Sequence, residues 1–276
     1  MPFLKIDTQA NPVSLYFEDY GRGQPVVLIH GWPLSHRMWE GQVNALTEAG
    51  YRVVSYDRRG FGASDKPWDG YDYDTLASDL EALLTALDLR DVVLAGFSMG
   101  GGEVARYLGR YGSERVSKAM LIAAVPPFLL KTADNPQGVE QEVFDGMIRG
   151  VVQDRITFLD SFVKTFFNWD DNNKPISDDL LSYNKAIAWS ASPRATQECI
   201  GAFGTTDFRA DLQKLTVPTL VIHGDADQIV PLEVSGARSA ELIQGGRLEV
   251  IGGAPHGLNV THADALNRLM LEFLRS

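Results

Sequence analysis

Cysteine is almost missing from this chain: Cys199 is the only one among 276 residues. No internal disulfide can form, so nothing points to an oxidising compartment, and a free core thiol is its expected state. Long apolar runs are missing too, since no segment approaches the roughly 18 residues that a membrane helix needs. The stretch Met1-Pro2-Phe3-Leu4-Lys5-Ile6-Asp7 carries charges where a secretory leader needs an uninterrupted apolar stretch. A cytoplasmic protein without a membrane partner is expected. Positive charge is in short supply, with 25 Lys and Arg against 36 Asp and Glu and a formal net charge of −11, which opposes binding to nucleic acid or anionic lipid. No H-E-x-x-H, C-x-x-C or G-x-x-x-x-G-K motif and no convincing G-x-G-x-x-G occurs. Asp225-Ala226-Asp227 opens like a calcium loop but lacks the glycine and glutamate that follow in one. Neither a metal nor a nucleotide cofactor is expected.

What is present is a core. At 45% hydrophobic content the chain is of one-domain size with room for an insertion. Leu15 to Tyr20 alternates like an early antiparallel strand. Buried strand-like runs follow at Val26 to His30, Tyr51 to Tyr56, Val92 to Ala95, Ala119 to Val125, Thr219 to His223 and Leu248 to Ile251. Amphipathic helical patterns separate them, including Tyr73 to Leu87, Glu103 to Tyr111 and Ala263 to Leu274. Strand and helix alternate, so the expected fold class is α/β with a mainly parallel sheet flanked by helices.

Between Pro126 and Val217 the alternation stops, and Val139 to Gly150, Arg155 to Phe167, Asp178 to Ala188 and Arg194 to Ala202 all read as helices. The reading is a core of residues 1–126 and 217–276 with a helical cap, 127–216, inserted into it. The cap holds Phe128, Phe144, Phe158, Phe162, Phe166, Phe167 and Trp189, more aromatic mass than an outer surface tolerates. Most of these glue the cap down. Phe128, Phe162 and Trp189 are expected to line a pocket beneath it, with Trp32 and Ile229 from the core side.

The chemistry centres on Gly96-Phe97-Ser98-Met99-Gly100, a G-x-S-x-G between an apolar strand and a helix. Such a turn holds its serine out as a nucleophile. A base and an orienting acid should follow in the order Ser, Asp, His. The strand ending at His223 runs into the acidic loop Asp225 to Pro231, and the strand ending at Ile251 runs into a loop that delivers His256. Asp225 and Asp227 compete for the acid. His30 and His223 end apolar strands and should hold loop backbone, whereas His36 and His262 should lie near the surface. Ser161-Phe162-Val163-Lys164 fits S-x-x-K but lies mid-helix without companion motifs, and is read as chance.

These segments, together with Val27 to Leu34 and Ser55 to Ser64, resemble the α/β-hydrolase superfamily over nearly the whole chain. Within it the chain resembles the cofactor-free haloperoxidase, perhydrolase and aryl-esterase group, with close likeness to bacterial γ-lactamases of that group. The resemblance implies an α/β-hydrolase fold, with Ser98 as nucleophile, Asp227 as acid and His256 as base. It also implies an oxyanion hole made by the backbone N–H groups of Trp32 and Met99. A small ester or carboxylic acid and hydrogen peroxide are then the expected partners, with hydrolysis and perhydrolysis sharing one acyl-enzyme. Amide hydrolysis of a small lactam is the nearest alternative, and a non-catalytic ligand-binding protein of the same fold is another. Members of the group are often homo-oligomers. Group members that favour perhydrolysis tend to carry proline where Pro33 stands, so Pro33 is expected to aim the Trp32 carbonyl at the peroxide site.

Overall fold

The computed structural model describes residues 2–6 and 12–276. Met1 and Asp7, part of the stretch read for a leader, lie outside the described residues. Eight strands form one sheet: β1 (Phe3–Ile6), β2 (Val13–Gly21), β3 (Pro25–Ile29), β4 (Arg52–Tyr56), β5 (Val92–Phe97), β6 (Val116–Ile122), β7 (Thr219–Gly224) and β8 (Arg247–Ile251). Their spatial order is β1-β2-β4-β3-β5-β6-β7-β8. The first two pairings are antiparallel and the other five parallel. β3, β5 and β7 are buried along their whole length, which is why they read as unbroken apolar runs: helices cover both faces of a parallel sheet.

The helices are α1 (Glu40–Glu48), α2 (Tyr73–Ala86), α3 (Met99–Tyr111), α4 (Gln141–Phe166), α5 (Asp178–Trp189), α6 (Pro193–Thr205), α7 (Arg209–Leu212), α8 (Gly236–Leu242), α9 (Leu258–Thr261) and α10 (Ala263–Arg275). Helices α4 to α7 fall between β6 and β7, where the sequence shows no strand. The two helices expected over 139–150 and 155–167 are one element, α4, broken at Asp154 (φ −153°, ψ 87°). The Asp154 carboxylate accepts from Thr157 N and Oγ1, so it caps the second half as a fresh helix start. β6 ends three residues earlier than expected. Ala123 takes a positive φ of 45° there, and Val125 N turns back to the carbonyl of Ser98. β1 went unread because its four residues are too short to show a period. Its register against β2 pairs Phe3 with Tyr16 and Ile6 with Val13.

Beneath the sheet's C-terminal edge, polar groups fix the loops. Arg58 is fully buried, is ion-paired with Glu103 of α3, and donates to the His30 carbonyl at 2.7 Å. His30 Nε2 accepts from Arg58 N, and burial together with the Arg58 charge pushes its pKa down to about 3. The imidazole is therefore neutral and serves as structure.

Candidate active site

β5 delivers Ser98, the candidate nucleophile, into a turn so tight that two glycines are obligatory. A Cβ on Gly96 would lie 2.3 Å from the Gly100 carbonyl oxygen, and one on Gly100 would lie 2.4 Å from that of Ile29. Ser98 itself sits at φ 53°, ψ −118°, a conformation that L-residues adopt only when the surroundings enforce it. The strain lifts Oγ off the end of the strand. Helix α3 begins at Met99, so the free N–H groups and positive end of its dipole point back toward that oxygen.

The loops after β7 and β8 converge on it. His256 Nε2 lies 2.9 Å from Ser98 Oγ, and His256 Nδ1 lies 2.6 Å from Asp227 Oδ2. Because a carboxylate only accepts, Nδ1 carries the ring proton and Nε2 presents its lone pair to the serine hydroxyl. Asp227 Oδ1 is held by the N–H groups of Ile229 and Val230 at 2.9 and 2.8 Å. Burial pushes the Asp227 carboxyl up, but the charges and hydrogen bonds of His256 and His223 outweigh it and hold the group well below the usual carboxylate range. Asp225 does not reach His256; it is exposed and accepts from Gly253 N.

The end of α4 closes the arrangement. Phe166 packs edge-on against the His256 ring, with centroids 5.0 Å apart, and its carbonyl accepts from Gly257 N at 2.7 Å. Asn168 Nδ2 donates to the Ala226 carbonyl at 2.9 Å, so the end of α4 fastens the acid loop as well. The Gly31-Trp32 turn lies directly against the nucleophile, since a Cβ on Gly31 would come within 3.1 Å of Ser98 Cβ.

A cavity of about 240 Å³ opens onto Ser98. Trp32, Phe162 and Ile229 line it, as expected from the sequence; Phe128, Trp189 and Pro33 do not. Phe128 is buried with Arg209 stacked over its ring. Trp189 falls outside the inward stripe of α5, Leu181, Asn184, Ile187 and Ala188, and is 37% exposed. Pro33 is buried beyond Trp32, to which a cis peptide joins it. The walls that sequence reasoning missed include Phe144, Met147 and Phe158 of α4 and Phe203 of α6. Within each half of α4 the spacing, 144 and 147 before the break at Asp154 and 158 and 162 after it, keeps to one helical face, which is the signal that could have found them.

Two histidines behave as expected and one does not. His30 and His223 bond loop backbone, the latter donating from Nε2 to the Val230 carbonyl. His36 is buried, not superficial: its ring lies 2.7 Å from Asp57, a carboxylate that also accepts from the amides of His36 and Ala63.

A serine hydroxyl, an imidazole and a buried carboxylate linked by hydrogen bonds at the C-terminal edge of a parallel sheet have the geometry of a serine hydrolase site of the α/β type. Residues 24–263 match the family described as the alpha/beta hydrolase fold, and the chain belongs to that family, within its non-heme haloperoxidase and perhydrolase group. It is 45% identical to the non-heme chloroperoxidase of Kitasatospora aureofaciens, over 98% of this chain and 99% of that one. The bifunctional esterase/perhydrolase of Acinetobacter calcoaceticus is 39% identical over the same shares. The crystal structure of a bromoperoxidase from Bacillus anthracis superposes with a TM-score of 0.95 at 51% identity, covering 99% of this chain and all of that one.

Proposed function

We propose that this protein is a serine carboxylesterase with perhydrolase activity, acting on small esters of apolar or aromatic acids. The observation that carries the reading is the hydrogen-bonded chain Ser98–His256–Asp227 facing an apolar cavity. His256 Nε2 takes the hydroxyl proton as Ser98 Oγ attacks the acyl carbon, then returns it to the departing alcohol. Asp227 keeps the imidazole in the right tautomer and stabilises its charged form. The N–H groups of Met99 and Trp32 are the assigned donors to the oxyanion. Water releases the acid. Hydrogen peroxide, attacking the same acyl carbon, forms a C–O bond while the bond to Oγ breaks and the peroxide proton passes through His256 to the serine. The O–O bond survives in the peracid, which then oxidises bromide or chloride by two electrons in solution. No redox group is needed in the protein.

Residues 127–216 act in this reading as the cap that supplies most of the acyl-binding wall. Ser98→Ala is expected to abolish hydrolysis of p-nitrophenyl acetate and peroxide-dependent bromide oxidation together, with folding unchanged. If bromide oxidation persists in the folded variant, the shared acyl-enzyme is wrong and a separate oxidant site exists.

A further inference from the structure

The second half-reaction poses a problem of access. Once Ser98 is acylated, the acyl group occupies the cavity through which it came, and that cavity is hostile to small polar molecules. Ser98 apart, every residue lining it is apolar or aromatic except Gln228. Water and hydrogen peroxide are strongly hydrated, and moving either into an apolar space without hydrogen-bond partners forfeits that hydration uncompensated.

Gln228 also lines a second pocket, of about 350 Å³, and is the one residue common to the two. The second pocket is polar: Lys164, Thr165, Asn168, Asp170 and Asn173 are among its walls. Its cation, Lys164, lies 2.9 Å from Asp160, a carboxylate it shares with Lys185, and its carboxylate Asp170 accepts from the amides of Asn172 and Asn173. Such a lining offers hydrogen-bond donors and acceptors to a small neutral molecule. The pocket also abuts the acid loop. Gln228 directly follows Asp227, and Asn168 of this pocket bonds the Ala226 carbonyl on the other side of that residue.

We infer that this polar pocket is the entrance for the second nucleophile, hydrogen peroxide or water, and that the Gln228 side chain divides it from acylated Ser98. The ester and the peroxide thus arrive by separate routes, and the chemistry is unchanged: peroxide loses a proton to His256, bonds to the acyl carbon and displaces Ser98 Oγ. The inference rests on the acyl-enzyme reading above.

The test is two-substrate steady-state kinetics of peracid formation, with ester and hydrogen peroxide both varied, on the wild type, Gln228→Phe and Thr165→Trp. Thr165 lines only the polar pocket, so the second variant fills that space without altering the acyl cavity. Both variants should lower kcat/KM for hydrogen peroxide by about tenfold, and in Thr165→Trp, which leaves the acyl cavity alone, kcat/KM for the ester should stay within about twofold. Equal falls in the two constants or an unchanged peroxide constant, in the folded Thr165→Trp protein, would overturn the separate entrance. Failure of the underlying reading is recognisable independently. In that case total ester turnover by the wild type, followed as alcohol release, would give intersecting rather than parallel double-reciprocal lines, and no acyl adduct would appear on Ser98 by mass spectrometry.

Discussion

At the residue scale, Asp225 and Asp227 are two carboxylates on one loop with opposite environments. Asp227 is 7% exposed and bonds the base, whereas Asp225 faces solvent and holds one backbone amide. Asp227→Asn should lower kcat by about 10⁴-fold through loss of tautomer control, and Asp225→Asn by less than about tenfold. The pair is checked with p-nitrophenyl acetate at saturating ester; a larger loss in Asp225→Asn would reverse the assignment. His30 supplies a pH test. Its pKa falls from 6.5 in the unfolded chain to about 3 in the fold, so between those values the unfolded state binds a proton that the native state does not. Stability attributable to this site is therefore full above about pH 6.5 and declines as pH falls, by about 1.4 kcal/mol per unit. His30→Gln should have a flatter dependence of urea midpoint on pH than the wild type between pH 6.5 and 4, and equal slopes would remove His30 as the cause. The meeting of Ser98, Asp227 and His256 was legible because each follows an apolar strand within one loop. His36 was not, because its burial depends on Asp57, whose position comes from the β3–β4 pairing rather than from local pattern.

Among the elements, α4 contributes most to the walls of the cavity at Ser98. Its inward face supplies Phe144, Met147, Phe158 and Phe162 to the cavity, and its end fastens the acid and base loops through Phe166 and Asn168. The apolar period of α4 is plain in the sequence, but a period gives a face and not what the face looks upon. That is why Trp189 was expected in the cavity and Phe144 was not. Glycines set how closely the aromatic wall is seated. A Cβ on Gly204 of α6 would come 2.7 Å from the Phe144 ring, which would have to shift; on Gly201 of the same helix it would meet nothing within 4 Å. Gly204→Ala should therefore crowd the acyl space. We expect kcat/KM for p-nitrophenyl hexanoate to fall about tenfold relative to the acetate ester, the order of discrimination that one misplaced methyl produces in an apolar pocket. Gly201→Ala is the control for general helix effects and should leave the acyl-length profile unchanged. Matching profiles for the two variants would mean that Phe144 does not limit the acyl group.

For the molecule as a whole, the governing quantity is charge. The chain carries a formal −11 at neutral pH, and several lysines between β6 and β7 are engaged by carboxylates. Lys164 and Lys185 both pair with Asp160, and Lys174 pairs with Asp178. An anionic substrate thus approaches against the field of the whole body, while a neutral ester is indifferent to it. The Debye length shrinks from about 30 Å at 0.01 M salt to about 8 Å at 0.15 M, so added salt removes most of that opposition before the substrate reaches the cavity. We predict that kcat/KM for the singly charged p-nitrophenyl hemisuccinate rises about two- to threefold over this range, with p-nitrophenyl acetate flat across the same series. The comparison is made in potassium chloride without peroxide, so that halide is only a counterion. A rate for the hemisuccinate that falls with salt would show that cationic groups at the mouth override the net charge. In that case the natural ester would be expected to carry an acid group of its own.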